Sequence, residues 1–111
     1  MATKIYQGNS TYSSDQLYTV DNGKIYKGGS TYSSDQLSTN PSGINIVDFK
    51  KVYKGKSTYS SDQIMTIDGK KIYKGNSTYS SDQIATIDGD RLSDSNFEKI
   101  IYLLAQRNNL I

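Results

Sequence analysis

The chain has 111 residues, a formal charge of +2 and neither cysteine nor histidine, and only 34% of it is apolar. With no Lys/Arg run longer than the pairs Lys50-Lys51 and Lys70-Lys71, nucleic acid and anionic membrane are disfavoured as partners. The missing Cys and His remove disulfides, thiolate chemistry, a Cys-based metal site and the commonest general base. Ten tyrosines and a low net charge separate the sequence from disordered chains, which are poor in aromatics and highly charged. One folded domain spanning residues 1–111 is therefore expected.

The lead from Met1 to Thr3 carries no apolar run, and no stretch is long enough to span a bilayer, so a cytoplasmic protein is expected. A unit of about twenty residues then begins, at Lys4, Lys24, Lys51 and Lys71. It reads Lys-Ile/Val-Tyr-x-Gly-x-Ser-Thr-Tyr-Ser-Ser-Asp-Gln-Leu/Ile-x-Thr, and its heptapeptide Ser10–Gln16 recurs unchanged at 30–36, 57–63 and 77–83. An internal period of this kind fixes the architecture. The repeats cover about 4–23, 24–43, 51–70 and 71–90, with an insertion at 40–50.

Between repeats, Val20-Asp21-Asn22-Gly23-Lys24-Ile25 and Ile67-Asp68-Gly69-Lys70-Lys71-Ile72 suit two-residue hairpins, type I′ at Asn22-Gly23 and type II′ at Gly69-Lys70. Both place Val20 opposite Ile25 and Ile67 opposite Ile72, with Asp21–Lys24 and Asp68–Lys71 as cross-strand ion pairs. Within repeats, Gly-x-Ser-Thr-Tyr-Ser-Ser-Asp is rich in turn formers and closes a wider hairpin, its central tyrosine folded back on the sheet. A meander of about eight short strands results. Comparison among the copies puts the Asn9 position in water. The Tyr18 position, held elsewhere by Ser38, Met65 and Ala85, is either exposed or differs with local packing. The Tyr6, Leu17 and Thr19 positions form a repeated packing face, and Ile5 and Val20 a second one.

In the insertion, Pro41 and Gly43 mark a turn before Ile44-Asn45-Ile46, which alternates like a strand; it adds a degenerate fifth unit or widens one connection. From Ser95 the period becomes helical. Ser95 and Glu98 make a capping box, Asp94 suits a helix N-terminus, and Phe97, Ile100, Ile101 and Leu104 form a stripe widened by Leu103. A helix over about 96–107, ending near Asn108-Asn109, is predicted to cover the sheet as a terminal cap.

The tandem Ile-Tyr-Lys-Gly-Asn-Ser-Thr-Tyr-Ser-Ser-Asp units, closed by Ile87-Asp88-Gly89-Asp90 and the apolar helix, resemble the small bacterial beta-flower repeat proteins from Lys4 to about Leu104. The resemblance implies a four- or five-fold ring of β-hairpin petals with pseudo-rotational symmetry plus one helix, and brings no established activity. The fold class is thus mainly β: a flower-like or meander array of hairpin repeats with one C-terminal α-helix. The structural alternative is a short β-solenoid capped by the helix, in which the 27-residue step from Tyr26 to Tyr53 needs a bulged coil.

Asp15, Asp35, Asp62 and Asp82 each follow Ser-Ser and read as turn acceptors rather than as acids, bases or ligands of a shared ion. Neither a catalytic residue nor a metal or cofactor is assigned. Gly8, Gly28, Gly55 and Gly75 lack the helix and lysine of a phosphate cradle. Tyr12, Tyr32, Tyr59 and Tyr79 lie among hydrogen-bonding side chains, where an exposed ring stacks a sugar or anchors a protein. The favoured reading has them fill a hydrophobic gap with their hydroxyls at the surface. These four Tyr and four Asp are the candidate ligand-binding residues. Three functions are weighed: a non-enzymatic module binding protein or glycan, which is preferred; a self-associating structural protein; and an enzyme with one asymmetric site. The oligomeric state, monomer or homo-oligomer, stays open.

Overall fold

The computed structural model describes residues 2–111 and leaves Met1 outside. Nine strands are formed: β1 Thr3–Gln7, β2 Gln16–Asp21, β3 Lys24–Lys27, β4 Gln36–Leu37, β5 Ile44–Val47, β6 Lys51–Lys54, β7 Gln63–Asp68, β8 Lys71–Lys74 and β9 Gln83–Asp88, followed by helix α1 Asp94–Arg107. They make one sheet in the order β4-β3-β2-β1-β9-β8-β7-β6-β5. Every pairing is antiparallel, which excludes the solenoid.

The tight turns follow their residues. Asn22 and Gly23 both take positive φ (56° and 78°), as a type I′ turn requires, while at Gly69-Lys70 only the glycine does (59°), as in type II′. The register is as expected: Val20 faces Ile25, Asp21 faces Lys24, Ile67 faces Ile72 and Asp68 faces Lys71. The insertion proves to be half a unit. Ile44 lies across from Lys54 as Tyr18 lies across from Lys27, and Ile46 faces Val52 as Val20 faces Ile25. Its turn uses Asp48 and Phe49 in the left-handed region (φ 55° and 54°) and closes with a 3.0 Å bond from Lys50 N–H to Val47 C=O. A phenylalanine there is strained; its ring packs edge-on against Phe97 of the helix at 5.7 Å.

A further hairpin has no turn at all. β9 and β1 pair with Ile87 opposite Ile5 and Asp88 opposite Lys4, the register of β7 and β8, but no turn joins them: the chain leaves β9 toward the helix, and β1 is the first strand. The sheet therefore closes through β1 and β9 in its middle and stays open at β4 and β5.

The main core lies on one face of the sheet and under the helix. Ile5, Val52 and Ile72 are fully buried and Ile25 nearly so, together with Val20, Ile67 and Ile87. The Tyr18 position belongs to this face: Met65 and Ala85 are fully buried and Tyr18 is 9% exposed, whereas Ser38, at the open end, is exposed. Burial pushes the Tyr18 hydroxyl above the ordinary phenol pKa, with the Arg107 guanidinium pulling part of the way back. The Leu17 position, expected beside Tyr6 and Thr19, packs instead against this core. The reason is a bulge: Ile5 pairs with Tyr18 and Tyr6 with Gln16, leaving Leu17 as the extra residue, and Ile64 and Ile84 repeat this. In β4 the bulge is missing and Leu37 itself faces Ile25. The opposite face buries Tyr6, Tyr26, Tyr53 and Tyr73 across from Thr86, Thr19, Asn45 and Thr66.

The helix starts two residues earlier than the sequence predicts. Ser93, not Ser95, is its cap, accepting from the Asn96 N–H at 3.2 Å. Both serines can cap, and tertiary contact decides: this start lets the Asn96 side chain donate to Gly23 C=O at 3.2 Å and sets Phe97 against Phe49. The other end lies where expected. Leu110 N–H bonds Ala105 C=O and Asn109 N–H bonds Gln106 C=O, with Asn109 at φ 57°, a Schellman motif. Ile100, Ile101, Leu104 and Ala105 are fully buried in the same core as the strands.

Candidate functional site

Each complete repeat lifts its heptapeptide out as a loop between two strands, and the four loops share one construction. A glycine with positive φ (Gly8, 61°) opens the turn, and the Ser10 N–H bonds Gln7 C=O at 3.3 Å. The Ser10 hydroxyl then accepts from the Tyr12 N–H at 3.0 Å, as Ser30, Ser57 and Ser77 do for their tyrosines. One 3₁₀ turn follows, closed from Asp15 N–H to Tyr12 C=O at 2.9 Å, again in all four copies. The tyrosine backbone angles agree to within a few degrees, φ −79° and ψ 141° at Tyr12 against −78° and 142°, −80° and 141°, and −77° and 141° at Tyr32, Tyr59 and Tyr79.

The consequence corrects the sequence reading. The tyrosines do not fold back onto the sheet or fill a gap: Tyr12, Tyr32, Tyr59 and Tyr79 are 75%, 74%, 75% and 76% exposed. The pinned backbone directs each ring outward from a short helical turn. Asp15, Asp35, Asp62 and Asp82 sit half-buried at the foot of that turn. The turn acceptor is in every copy the tyrosine carbonyl, and the aspartate supplies its N–H. Among the described residues, only the Asp62 carboxylate takes a side-chain bond within the loop, from the Ser57 hydroxyl at 2.7 Å.

A chain of side chains that the sequence reading passed over ties the loops together. Gln16 donates to the Thr19 hydroxyl at 2.6 Å, which donates to Gly28 C=O of the neighbouring loop at 2.7 Å. Gln63 and Thr66 hold Gly75 in the same way, and Gln83 and Thr86 hold Gly8. Asn45 of the half unit reaches Ser57 C=O at 3.2 Å. The signal was legible, since Gln and Thr recur three residues apart in every copy. Loop spacing follows from the ladder. One loop per two strands is a step of about 10 Å, and the strand order sets the tyrosines in the sequence Tyr32, Tyr12, Tyr79, Tyr59 along one rim of the sheet.

The opposite rim holds a cleft of about 820 Å³ between the tight turns and the start of α1. Phe49, Ile67, Ile87, Leu92 and Phe97 give it an apolar floor, and Asp48, Lys50, Asp68 and Lys70 stand at its edge. Asp48–Lys50 come from the insertion, and Asp90, Arg91 and Asp94 complete the charged part of the lining. Among the described residues, no three acidic side chains are placed to hold a metal ion, and no helix is long and apolar enough to cross a membrane.

A model of the 6-fold beta flower protein family matches residues 36–109, two of the complete repeats, the half unit and the helix. The chain belongs to that family. Each complete repeat contributes one heptapeptide loop, a petal loop, four in all, and the half unit supplies only the second strand of a further hairpin; the repeats form one open sheet rather than the expected ring. No match was found among curated proteins or among solved structures.

Proposed function

We propose that this beta-flower chain is a non-enzymatic binding module whose ligand, a protein or a glycan, is held by the four petal loops together. The observation that carries this reading is the set of four tyrosines, each about three-quarters exposed, on superimposable backbones along one rim. Single exposed rings are ordinary, but four of them grouped on one rim mark an interaction surface. Beside each ring stand serine and threonine hydroxyls and the half-exposed carboxylate of Asp15, Asp35, Asp62 or Asp82. That mixture of a flat apolar face and short hydrogen-bonding groups suits a sugar ring or the backbone of a partner.

One loop offers too little area for tight binding. Four held at a fixed step of about 10 Å convert weak contacts into avidity when the ligand repeats on a similar scale. The Gln–Thr–Gly ties favour this, because loops that are already ordered lose less freedom on binding.

The test is a glycan and protein-partner screen with the full chain, repeated with Tyr→Ala at one, two and four of Tyr12, Tyr32, Tyr59 and Tyr79. Binding should fall more than proportionally as tyrosines are removed and vanish in the quadruple variant. A ligand retained at full strength by the quadruple variant would place recognition elsewhere.

A further inference from the structure

The strands are of two kinds. β1, β3, β6 and β8 carry the Lys-Ile/Val-Tyr pattern or its Thr3–Gln7 equivalent, and each leads into a petal loop. β2, β4, β7 and β9 follow such a loop, and β5 takes the same place beside β6. The two kinds alternate along the sheet, and its order leaves a strand of the second kind at both ends.

The outer edge of β5 is therefore defined by its internal copies. In β2, β7 and β9 the counterparts of Ile44 face a strand of the first kind: Tyr18 opposite Ile5, Met65 opposite Val52, Ala85 opposite Ile72. The counterparts of Ile46 do the same, with Ile67 N–H bonding Lys50 C=O at 2.7 Å and Ile87 N–H bonding Lys70 C=O at 2.8 Å. On β5 the inner side is occupied by β6, with Gly43 C=O accepting from Gly55 N–H at 2.8 Å. By the alternation of an antiparallel ladder, Ile44 and Ile46 turn their N–H and C=O groups outward. Among the described residues, no backbone hydrogen bond meets them there. Their side chains agree: Met65 and Ala85 are fully buried and Ile67 and Ile87 6% exposed, while Ile44 and Ile46 are only half-buried.

We propose that this edge takes up an extended peptide segment of another protein by strand addition. The segment carries a β-branched apolar residue followed by tyrosine with lysines on either side, and runs antiparallel to β5 with its isoleucine opposite Ile44. Main-chain bonds supply the grip, and the apolar residue covers the half-buried isoleucines. A second copy of this chain does not supply such a strand. β1, β3, β6 and β8 are each paired on both sides, so lending one breaks two ladders of the donor. This site is separate from the petal tyrosines, and neither reading rests on the other.

The probe is the synthetic heptapeptide Gly-Lys-Lys-Ile-Tyr-Lys-Gly, the sequence of residues 69–75, titrated into the isotope-labelled full chain by NMR. Saturable shifts centred on Ile44, Asn45 and Ile46 are expected, with slowed amide exchange at Ile44 and Ile46. N-methylation of the peptide at its isoleucine and first lysine, whose amides face β5, should weaken binding by about tenfold or more, the loss of one or two hydrogen bonds. N-methylation at the second lysine and the tyrosine, whose amides point away, should leave it nearly unchanged. Absent or non-saturating shifts, shifts centred on the petal loops, or equal sensitivity to both methylation patterns would overturn the proposal. So would a dimer, found by sedimentation, that already protects Ile44 and Ile46 without peptide. The protein itself is unaltered throughout, so misfolding cannot mimic any outcome.

Discussion

Identical residues do different work here according to what surrounds them. The tyrosines after Lys-Ile/Val are 5–8% exposed, and those inside the heptapeptide 74–76%. Replacing all four loop tyrosines with alanine should shift stability by no more than roughly 0.5 kcal/mol per site, the ordinary range for surface changes, as read from denaturant midpoints. A loss of several kcal/mol would return them to a packing role. Tyr18 tests the opposite environment. Burial holds its phenol neutral above the ordinary value near 10, so the unfolded chain ionises first and stability falls as pH climbs past that value toward the raised one. Below about pH 10 both states keep the proton, and the contribution of Tyr18 is fully present. Tyr18→Phe removes that titration, so alkaline unfolding followed by circular dichroism should become shallower above pH 10. An unchanged alkaline limb would mean that the hydroxyl reaches water.

At the scale of elements, turn chemistry was the most legible feature of the sequence. Asn-Gly and Gly-Lys put residues that tolerate positive φ where two-residue hairpins need them, and the two hairpins take the turn types and registers that follow. The petal loop was half legible. Its serine and aspartate turn signals were plain, but which bonds they make was not: the serine hydroxyl takes the tyrosine N–H two residues on, and that local bond helps turn the ring outward. The bulge at Leu17, Ile64 and Ile84 had no sequence signal beyond an apolar residue out of phase with its neighbours. The helix start was ambiguous because Ser93 and Ser95 are both good caps. Ser93→Ala should cost about 1 kcal/mol, while Ser95→Ala, inside the first turn, should be close to neutral. Paired thermal melts decide between them, and the reverse ranking would restore the later start.

For the whole molecule, the governing fact is that a strip of repeats buries too little by itself. Its strands present Ile5, Val52, Met65 and Ile72 to one side, and the helix supplies Ile100, Ile101 and Leu104 to meet them, all fully buried. Leu104→Ala should therefore cost roughly 2–5 kcal/mol. Truncation after Leu92 should leave the apolar face uncovered, giving a chain that aggregates or loses cooperative melting. A soluble truncation that melts sharply would show that the sheet sustains itself. Closure through β1 and β9 adds a long-range constraint, since the first and last strands must meet before the middle of the sheet exists.

What the sequence determined alone was local and periodic: the repeat, the tight turns, the alternation of faces, the apolar stripe of the helix and the likeness to beta-flower proteins. Each is set by short-range sterics, by hydrogen bonds a few residues apart, or by a pattern visible within one period. The tertiary structure decided what depends on distant neighbours. It seated β1 beside β9, left β4 and β5 as open edges and chose between two capping serines. These outcomes turn on packing between residues tens of positions apart, where the free-energy differences are those of burial and pairing across the sheet rather than of any single residue's preference.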